Sequence, residues 1–338
     1  MKILITGATG FLGRRAVEIL SQQHQVIAVG RNQSIGHSLN SAAVQFFACD
    51  LTLEHAVLNL PNDFDMIVHS AALSSPWGKW QDFYTSNVIA TQNLIKLAQS
   101  SQQFKRFIHI STPSVYFDYS DRFNIKETDQ VADPAPCFYT KSKLMAENDL
   151  LNLHQRQQFP VIILRPRGLF GPGDTSIIPR LIKAKESGRL PIIGDGKNIT
   201  DLTYVDNVVD AISCSINAEE KVHGEIFNIT NGEPTKLWDF LGSVLVDIGL
   251  TPPQQKLPFP LIFGISLISE LICKLLPFDR EPALTRYTTG LLAKSQTLDI
   301  SKARDMLKYK PKVSLVEGRN LTIKWWKDRH VSQDTNKL

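Results

Sequence analysis

Tyr139 and Lys143 stand four residues apart in Phe138-Tyr-Thr-Lys-Ser-Lys143, and apolar positions continue from there through Leu144, Met145, Leu150 and Leu151. At that spacing a phenol and an ammonium share one helix face, a turn apart. A phenol with an ordinary pKa of about 10 is a poor base at neutral pH, but a nearby cation favours its phenolate, making a tunable proton donor or acceptor. Ile108-His-Ile-Ser-Thr112 ends an apolar run with two hydroxyls. A hydroxyl, a phenol and a lysine beside a nicotinamide are what hydride transfer to or from a carbonyl requires, since the oxygen must be polarised while its proton moves. Singly, each has a plainer reading: a solvated lysine beside a half-buried tyrosine, or a Ser-Thr pair capping a turn. Together, in this order along one chain, they are specific.

A second kind of chemistry is written at the start of the chain. Gly7, Gly10 and Gly13 are spaced three apart where an apolar run, 2–6, hands over to an amphipathic stretch, 11–22. The first glycine permits a tight turn, the second lets backbone N–H groups approach a pyrophosphate, and the third lets helix and sheet pack closely. The positive helix N-terminus then faces the phosphates.

The elements that must position these groups alternate. Further strands are expected at 26–29, 44–48, 66–70, 107–110 and 161–164, with helical patterns clearest at 82–99 and 139–157. Repeated β-α-β with continuous apolar strands predicts an α/β fold, a Rossmann doubly wound parallel sheet covered on both faces. Ligands bind such sheets at the carboxyl ends of strands. The site candidates are therefore Gly7 to Gly13, Gly30-Arg31, Asp50-Leu51, Ala71-Ala72, Ser111-Thr112 and Pro166-Arg167. After Gly168 the texture becomes richer in glycine and proline, which predicts a smaller C-terminal α/β substrate domain over the open end of the sheet. The division expected is 1–167 for the dinucleotide-binding domain, 168–330 mainly for the substrate domain with some segments returning to the sheet, and a frayed polar tail at 331–338.

At 338 residues, 43% hydrophobic and 21% charged, the chain can bury one large core and a smaller second one. Its net charge of +4 is spread without runs, which points to no nucleic-acid partner and no polybasic tether. Cys49, Cys137, Cys214 and Cys273 form no Cys-x-x-Cys pair, so neither a disulfide framework nor a metal site is expected, and a reducing compartment fits. Thr6-Gly7 cuts the N-terminal apolar stretch too short for a signal peptide. The expected location is cytoplasmic, with folding beginning at residue 1.

The chain resembles the extended short-chain dehydrogenases/reductases, and within them the branch of 3β-hydroxysteroid and sterol dehydrogenases with bacterial relatives acting on β-hydroxy or β-oxo acids. The resemblance covers nearly the whole chain. It implies that Thr6 to Gly13, with Gly7, Thr9, Gly10, Phe11, Leu12 and Gly13, is the phosphate loop; that Asp50-Leu51 meets the adenine; and that His69-Ser-Ala-Ala72, hence Ala71 and Ala72, passes the cofactor. Asn87 falls on the helix that follows, and Pro166 joins the cofactor set. The catalytic hydroxyl maps to Thr112, with Ser111 as the fallback. Tyr139 corresponds to the acid/base, and Lys143 to the residue that holds the nicotinamide ribose and lowers the phenol's pKa. Leu164-Arg-Pro-Arg-Gly-Leu-Phe-Gly-Pro-Gly-Asp174 and Glu281-Pro-Ala-Leu-Thr-Arg286 are similar to the hydroxysteroid branch specifically. A homodimer through the helices at 82–99 and 139–157 is a further implication.

Two departures separate the chain from sugar-nucleotide enzymes of this superfamily. Thr200 stands where those usually place an arginine that grips the phosphate, and Pro113 stands where the sugar dehydratases place an acid. For the cofactor, the second strand ends Val29-Gly30-Arg31-Asn32 without a carboxylate, and Arg14 and Arg15 add positive charge. NADP is therefore the expected preference, with NAD as the other possibility; the plainer reading has Arg31 stacking on adenine.

Finally, 261–276 is apolar except for Ser266, Ser269, Glu270 and Lys274, which cluster on one side at helical spacing. At ~1.5 Å per residue it is about 24 Å long, short of a bilayer core. It reads as a lid, a greasy substrate entrance or an anchor in the membrane interface. The leading expectation is an NAD(P)-dependent oxidoreductase interconverting a secondary alcohol and a ketone on a hydrophobic substrate, a 3β-hydroxysteroid or a long β-hydroxy/β-oxo acid. The alternatives are a nucleotide-sugar epimerase or reductase, and a non-catalytic NADP sensor.

Overall fold

Isoleucine, leucine and valine fill both faces of seven short strands: β1 (Lys2–Thr6), β2 (Gln25–Gly30), β3 (Val44–Ala48), β4 (Met66–His69), β5 (Arg106–Ile110), β6 (Val161–Pro166) and β7 (Glu225–Ile229). The structure is a computed structural model that describes residues 1–334 apart from 176, 189 and 276–280, with nothing described of the side chains at 330–334. Every pair in the sheet is parallel, in the order β7-β6-β5-β4-β1-β2-β3. The order reverses between β1 and β4, which opens a crevice at their carboxyl ends.

Alternation along each strand divides its side chains between two layers. Ile3, Ile5, Val26, Ala28, Val68, Ile108 and Ile162 pack with Leu12, Ala16, Val17 and Leu20 of the helix Phe11–Leu20, and with Val208, Val209 and Ile212 of the helix Val205–Ile216. Leu4, Ile27, Val29, Ile67, Phe107 and Ile163 pack on the other side with Leu94, Leu97 and Leu150. Each buried aliphatic side chain of this size contributes roughly 1.5 to 3 kcal/mol, so the sheet is the rigid base on which the site stands.

Two segments differ from the sequence expectation, and a third is not singled out by it. Glu225–Ile229 returns to the sheet as β7 beside β6, a strand that no motif in its sequence announces. The helical stretch around 82–99 is three pieces: α-helices Trp80–Phe83 and Ala90–Ser100 with a π-helical Tyr84–Ile89 between them, and Asn87 lies in the π-helical turn. The last helix, Leu315–Asp334, runs into the segment expected to fray. Residues 335–338 of that tail, and Leu276 at the end of the expected amphipathic helix, lie outside the described residues.

A second layer of helices and short strands covers the open end of the sheet. Arg122–Ile125, Gln296–Leu298, Ile199–Thr200 and Thr235–Lys236 form a four-stranded sheet. Phe170, Tyr204, Trp238, Leu241, Leu245 and Ile262 fill a separate core. On this layer lies the helix Phe259–Leu275, whose polar side faces inward: Ser266 hydroxyl meets Thr289 at 2.7 Å, and Glu270 accepts from the Arg286 backbone at 2.7 Å and its guanidinium at 2.8 Å. Its apolar side faces out, with Leu261, Ile265, Ile268, Leu271, Ile272 and Leu275 all exposed.

Candidate active site

The glycine-rich turn leaves β1 into the crevice. Gly7 has φ +69°, and a Cβ there would stand 2.8 Å from the Ala71 amide nitrogen. A Cβ on Gly13 would come within 2.1 Å of the Gly7 carbonyl oxygen, so helix and turn meet as closely as backbone allows. Gly10 caps the helix Phe11–Leu20 without a side chain, which leaves the first-turn amides of Phe11, Leu12 and Gly13 as open donors. Thr9 packs on Gly30, where a Cβ would meet its hydroxyl at 2.9 Å. From β4, Ser70 Oγ donates to the Thr6 carbonyl at 2.7 Å and the Ala71 amide to Thr6 Oγ1 at 3.3 Å, so Ala71 and Ala72 border the turn. A side-chain-free cradle at a helix N-terminus fits the pyrophosphate of a dinucleotide.

At the far end of the cradle, Arg31 leaves β2 exposed to solvent. Asp50, at the end of β3, accepts from Thr52 N at 3.0 Å and Thr52 Oγ1 at 2.8 Å; the Thr52 amide chiefly, helped by Arg31, holds its carboxyl below the usual range. A carboxylate therefore does face this end, although it comes from the third strand and not the second. Leu51 is buried, its carbonyl taking Asn93 Nδ2 at 2.9 Å. Arg15 does not add free charge: Asp206 takes its Nε at 2.6 Å and its Nη2 at 2.9 Å. Arg14 is paired with Glu18 at 3.2 Å.

The helix Phe138–Gln157 brings Tyr139 and Lys143 under the end of β5. Burial raises the half-buried Tyr139 phenol to about 12, while the hydroxyls of Thr112 and Ser74 pull the other way by hydrogen bonding. Thr112 caps the turn Pro113–Tyr116, donating to Ser114 Oγ at 3.0 Å and accepting from the Ser114 amide at 3.2 Å. The structure thus brings Thr112 to Tyr139, whereas Ser111 Oγ is buried without a partner among the described residues. Lys143 is 1% exposed, and burial lowers it to about 8. Its Nζ meets His109 Nε2 at 3.1 Å and donates to the Ile110 carbonyl at 2.7 Å. The lowering of the phenol expected from a neighbouring ammonium is absent, because desolvation outweighs it and the ammonium is held by β5.

Below Lys143 a buried polar row crosses the sheet. His69 pairs with Thr6 on one side and His109 on the other in strand register. Thr6 Oγ1 meets His69 Nδ1 at 2.8 Å, and His69 Nε2 meets Thr91 Oγ1 at 3.0 Å. Asn87 ties this row to the catalytic helix: its Oδ1 accepts from Leu73 N at 2.7 Å, and its Nδ2 donates to Ser142 Oγ at 2.8 Å.

Two further side chains complete the surroundings: Tyr287, which carries no sequence signal, and Arg167, already a candidate at the end of its strand. Tyr287, next to the Arg286 that closes a motif already noted, shares a 2.6 Å hydrogen bond with Ser114 Oγ. Arg167, following β6 and Pro166, reaches Thr200 Oγ1 with Nη2 at 3.3 Å, so a guanidinium stands at the position where the sequence shows only a threonine. Beside this centre a groove of about 1370 Å³ runs between the two layers, lined by Trp77, Phe83, Phe138, Leu144, Met145 and Tyr287 among others. Phe138 and Cys137, the two residues before Tyr139, are among its lining. No group of three or more metal-ligating side chains occurs among the described residues.

Residues 3–230 match the model of the NAD dependent epimerase/dehydratase family. The chain is 33% identical to 3beta-hydroxysteroid-dehydrogenase/decarboxylase isoform 1 of Arabidopsis thaliana, over 95% of this chain and 78% of that protein. It is 31% identical to 2-alkyl-3-oxoalkanoate reductase of Stenotrophomonas maltophilia, over 94% of this chain and 97% of that one. Among solved structures it is similar to UDP-glucuronic acid 4-epimerase from Bacillus cereus in complex with NAD, with 26% identity, a TM-score of 0.73, and 97% and 99% of the two chains covered.

Proposed function

This chain belongs to the NAD dependent epimerase/dehydratase family and is a dehydrogenase/reductase acting on CH–OH groups; we propose that it interconverts a secondary alcohol and a ketone on a hydrophobic substrate. The substrate class proposed is a 3β-hydroxysteroid or a long-chain β-hydroxy/β-oxo acid, the chemistry in the names of its relatives. The observation that carries this reading is the hydrogen bonding of Thr112 to Tyr139, with Lys143 one helical turn on and anchored at the end of β5.

The roles follow from the groups themselves. The Tyr139 phenol, kept protonated by burial, donates its proton to the carbonyl oxygen during reduction and takes it back during oxidation. Thr112 polarises the same oxygen through its hydroxyl. Lys143, anchored on β5, would hold the nicotinamide ribose and return the phenol's proton. The turn at Gly7 to Gly13, with Thr9, Phe11 and Leu12, would hold the pyrophosphate, and Asp50, Leu51, Ala71, Ala72 and Pro166 would border the rest of the dinucleotide. When bound, the nicotinamide supplies or accepts the hydride. Arg31 supports NADP as the preferred cofactor; the nearby Asp50 keeps NAD in reach.

Two further parts of the reading concern partners. The outward apolar side of Phe259–Leu275 supports peripheral contact with a lipid interface, since contiguous exposed apolar surface on a monomer marks an interaction site; no helix among the described residues is long and apolar enough to cross a membrane. The paired helices Ala90–Ser100 and Phe138–Gln157, joined by Gln92 to Asp149 at 2.8 Å, supply the face for a homodimer. The function is tested by following NADPH and NADP⁺ turnover with 3β-hydroxysteroids, long-chain β-hydroxy and β-oxo acids and UDP-sugars. Turnover of a steroid or a β-hydroxy/β-oxo acid is the expected result; turnover of UDP-sugars alone overturns the reading.

A further inference from the structure

Arg167 is 7% exposed, and its bond to Thr200 Oγ1 is the guanidinium's one hydrogen bond among the described residues. Five N–H donors on a buried cation leave most of that capacity open, and a buried charge is costly until an anion and acceptors complete it. The Asp201 carboxylate does not complete it. It forms no ion pair with Arg167 among the described residues; its Oδ2 accepts from Leu298 N at 2.7 Å while its Oδ1 is buried without a partner. Burial accordingly holds the Arg167 pKa below its ordinary value, with Tyr287 opposing this more than Asp201 does.

Place matters as much as charge. A chain of hydroxyls links Arg167's surroundings to the reacting centre: Tyr287 OH meets Ser114 Oγ at 2.6 Å, Thr112 donates to Ser114 Oγ at 3.0 Å, and Thr112 faces Tyr139. Arg167 lies close enough to Tyr287 to interact with it electrostatically, and Tyr287 lines the groove, so the guanidinium stands near both the groove and the reacting centre.

We propose that Arg167 is the receptor for a carboxylate on the substrate, paired to it through the guanidinium fork, so that the enzyme selects acids over their neutral esters. This rests on the oxidoreductase reading above. A carboxylate fits better than a diphosphate, because one guanidinium offsets at most one negative charge, and its acidic neighbour Asp201, raised to about 6 by burial, offers no second cation for a second charge. A planar carboxylate also matches the fork with two parallel hydrogen bonds.

The test compares oxidation of a long-chain 3-hydroxy acid with that of its methyl ester by wild type, Arg167→Leu and Arg167→Lys. Wild type is expected to prefer the acid, and Arg167→Leu to lower kcat/KM for the acid by about ten- to a hundredfold, the cost of a charge-assisted hydrogen bond, while leaving the ester nearly unchanged. Arg167→Lys, which keeps the charge without the fork, should fall between them and guards against misfolding of the leucine variant. Equal losses on acid and ester in both variants, or an acid preference that survives both, overturns the proposal. So does UDP binding by calorimetry that is present in wild type and lost in both variants, which makes the anion a diphosphate. Failure of wild type to oxidise the acid, the ester and a 3β-hydroxysteroid would instead bring down the parent reading, and this one with it.

Discussion

Lys143 Nζ lies 3.1 Å from His109 Nε2, and the pair is buried in the middle of the sheet. An ammonium only donates, so His109 accepts through Nε2 and carries its proton on Nδ1, a nitrogen buried without a partner among the described residues. The lysine's anchor is thus a neutral histidine and a backbone carbonyl on β5, which fix where the ammonium stands independently of Tyr139.

Replacing Tyr139 by Phe removes the proton donor and little else. The expected kcat falls by more than about tenfold, or ~1.4 kcal/mol of transition-state stabilisation, with cofactor affinity nearly unchanged. Steady-state kinetics and a cofactor titration check this, and Lys143→Ala should impair both quantities.

The lowered Lys143 gives activity an alkaline limb. Its ammonium is present below about 8 and lost above, so kcat should decline as pH rises through that value. His109→Leu removes an acceptor that favours the charged form, and should move the limb to lower pH; His109→Gln, which keeps an acceptor, should restore it. A pH profile unchanged in the leucine variant would show that the contact is only packing.

Folding stability should fall in acid for a nameable reason. Burial, aided by the Lys143 charge, pushes His69 down to about 3 from 6.5 and holds His109 well below its ordinary value too. Between those values the unfolded chain binds the protons that the folded chain refuses, so stability is full above pH 6.5 and is lost as pH falls toward 3. Each pH unit in that window costs about 1.4 kcal/mol per histidine held neutral. Urea titrations at pH 7 and pH 5 check it, and His69→Gln should shrink the difference between them.

Cofactor choice turns on the residue after β2. Tighter binding of NADPH than NADH is expected, and Arg31→Asp should reverse it by exchanging attraction for a 2′-phosphate against an acceptor for a 2′-hydroxyl. Titrating both cofactors into both proteins decides the matter; equal wild-type affinities would leave the nearby Asp50 in control.

The outward apolar helix face makes a separable prediction. Leu267→Glu with Leu271→Glu changes two exposed side chains, 38% and 51% accessible, so the melting temperature should hardly move. Co-sedimentation with phospholipid vesicles, present in wild type, should disappear. A large loss of stability without any change in sedimentation would show instead that the helix is covered.

Much of this protein was legible in local pattern. The parallel sheet follows from β-branched runs separated by amphipathic helices, the phosphate turn from three glycines at a strand's end, and the Tyr139–Lys143 pair from a spacing of four. These depend on neighbours along the chain, where periodicity states which residues share a face. It does not state what that face meets. Only the tertiary structure turned the polar side of Phe259–Leu275 inward onto Thr289 and Arg286, tied Arg15 to Asp206, and returned β7 to the sheet from a stretch with no motif. It also set Arg167 against Thr200, supplying from the end of β6 a cation that the sequence around Thr200 lacks. Such pairings join residues tens to hundreds of positions apart, and they are decided by how layers pack, because the free energy that selects them belongs to the whole core and not to any one segment.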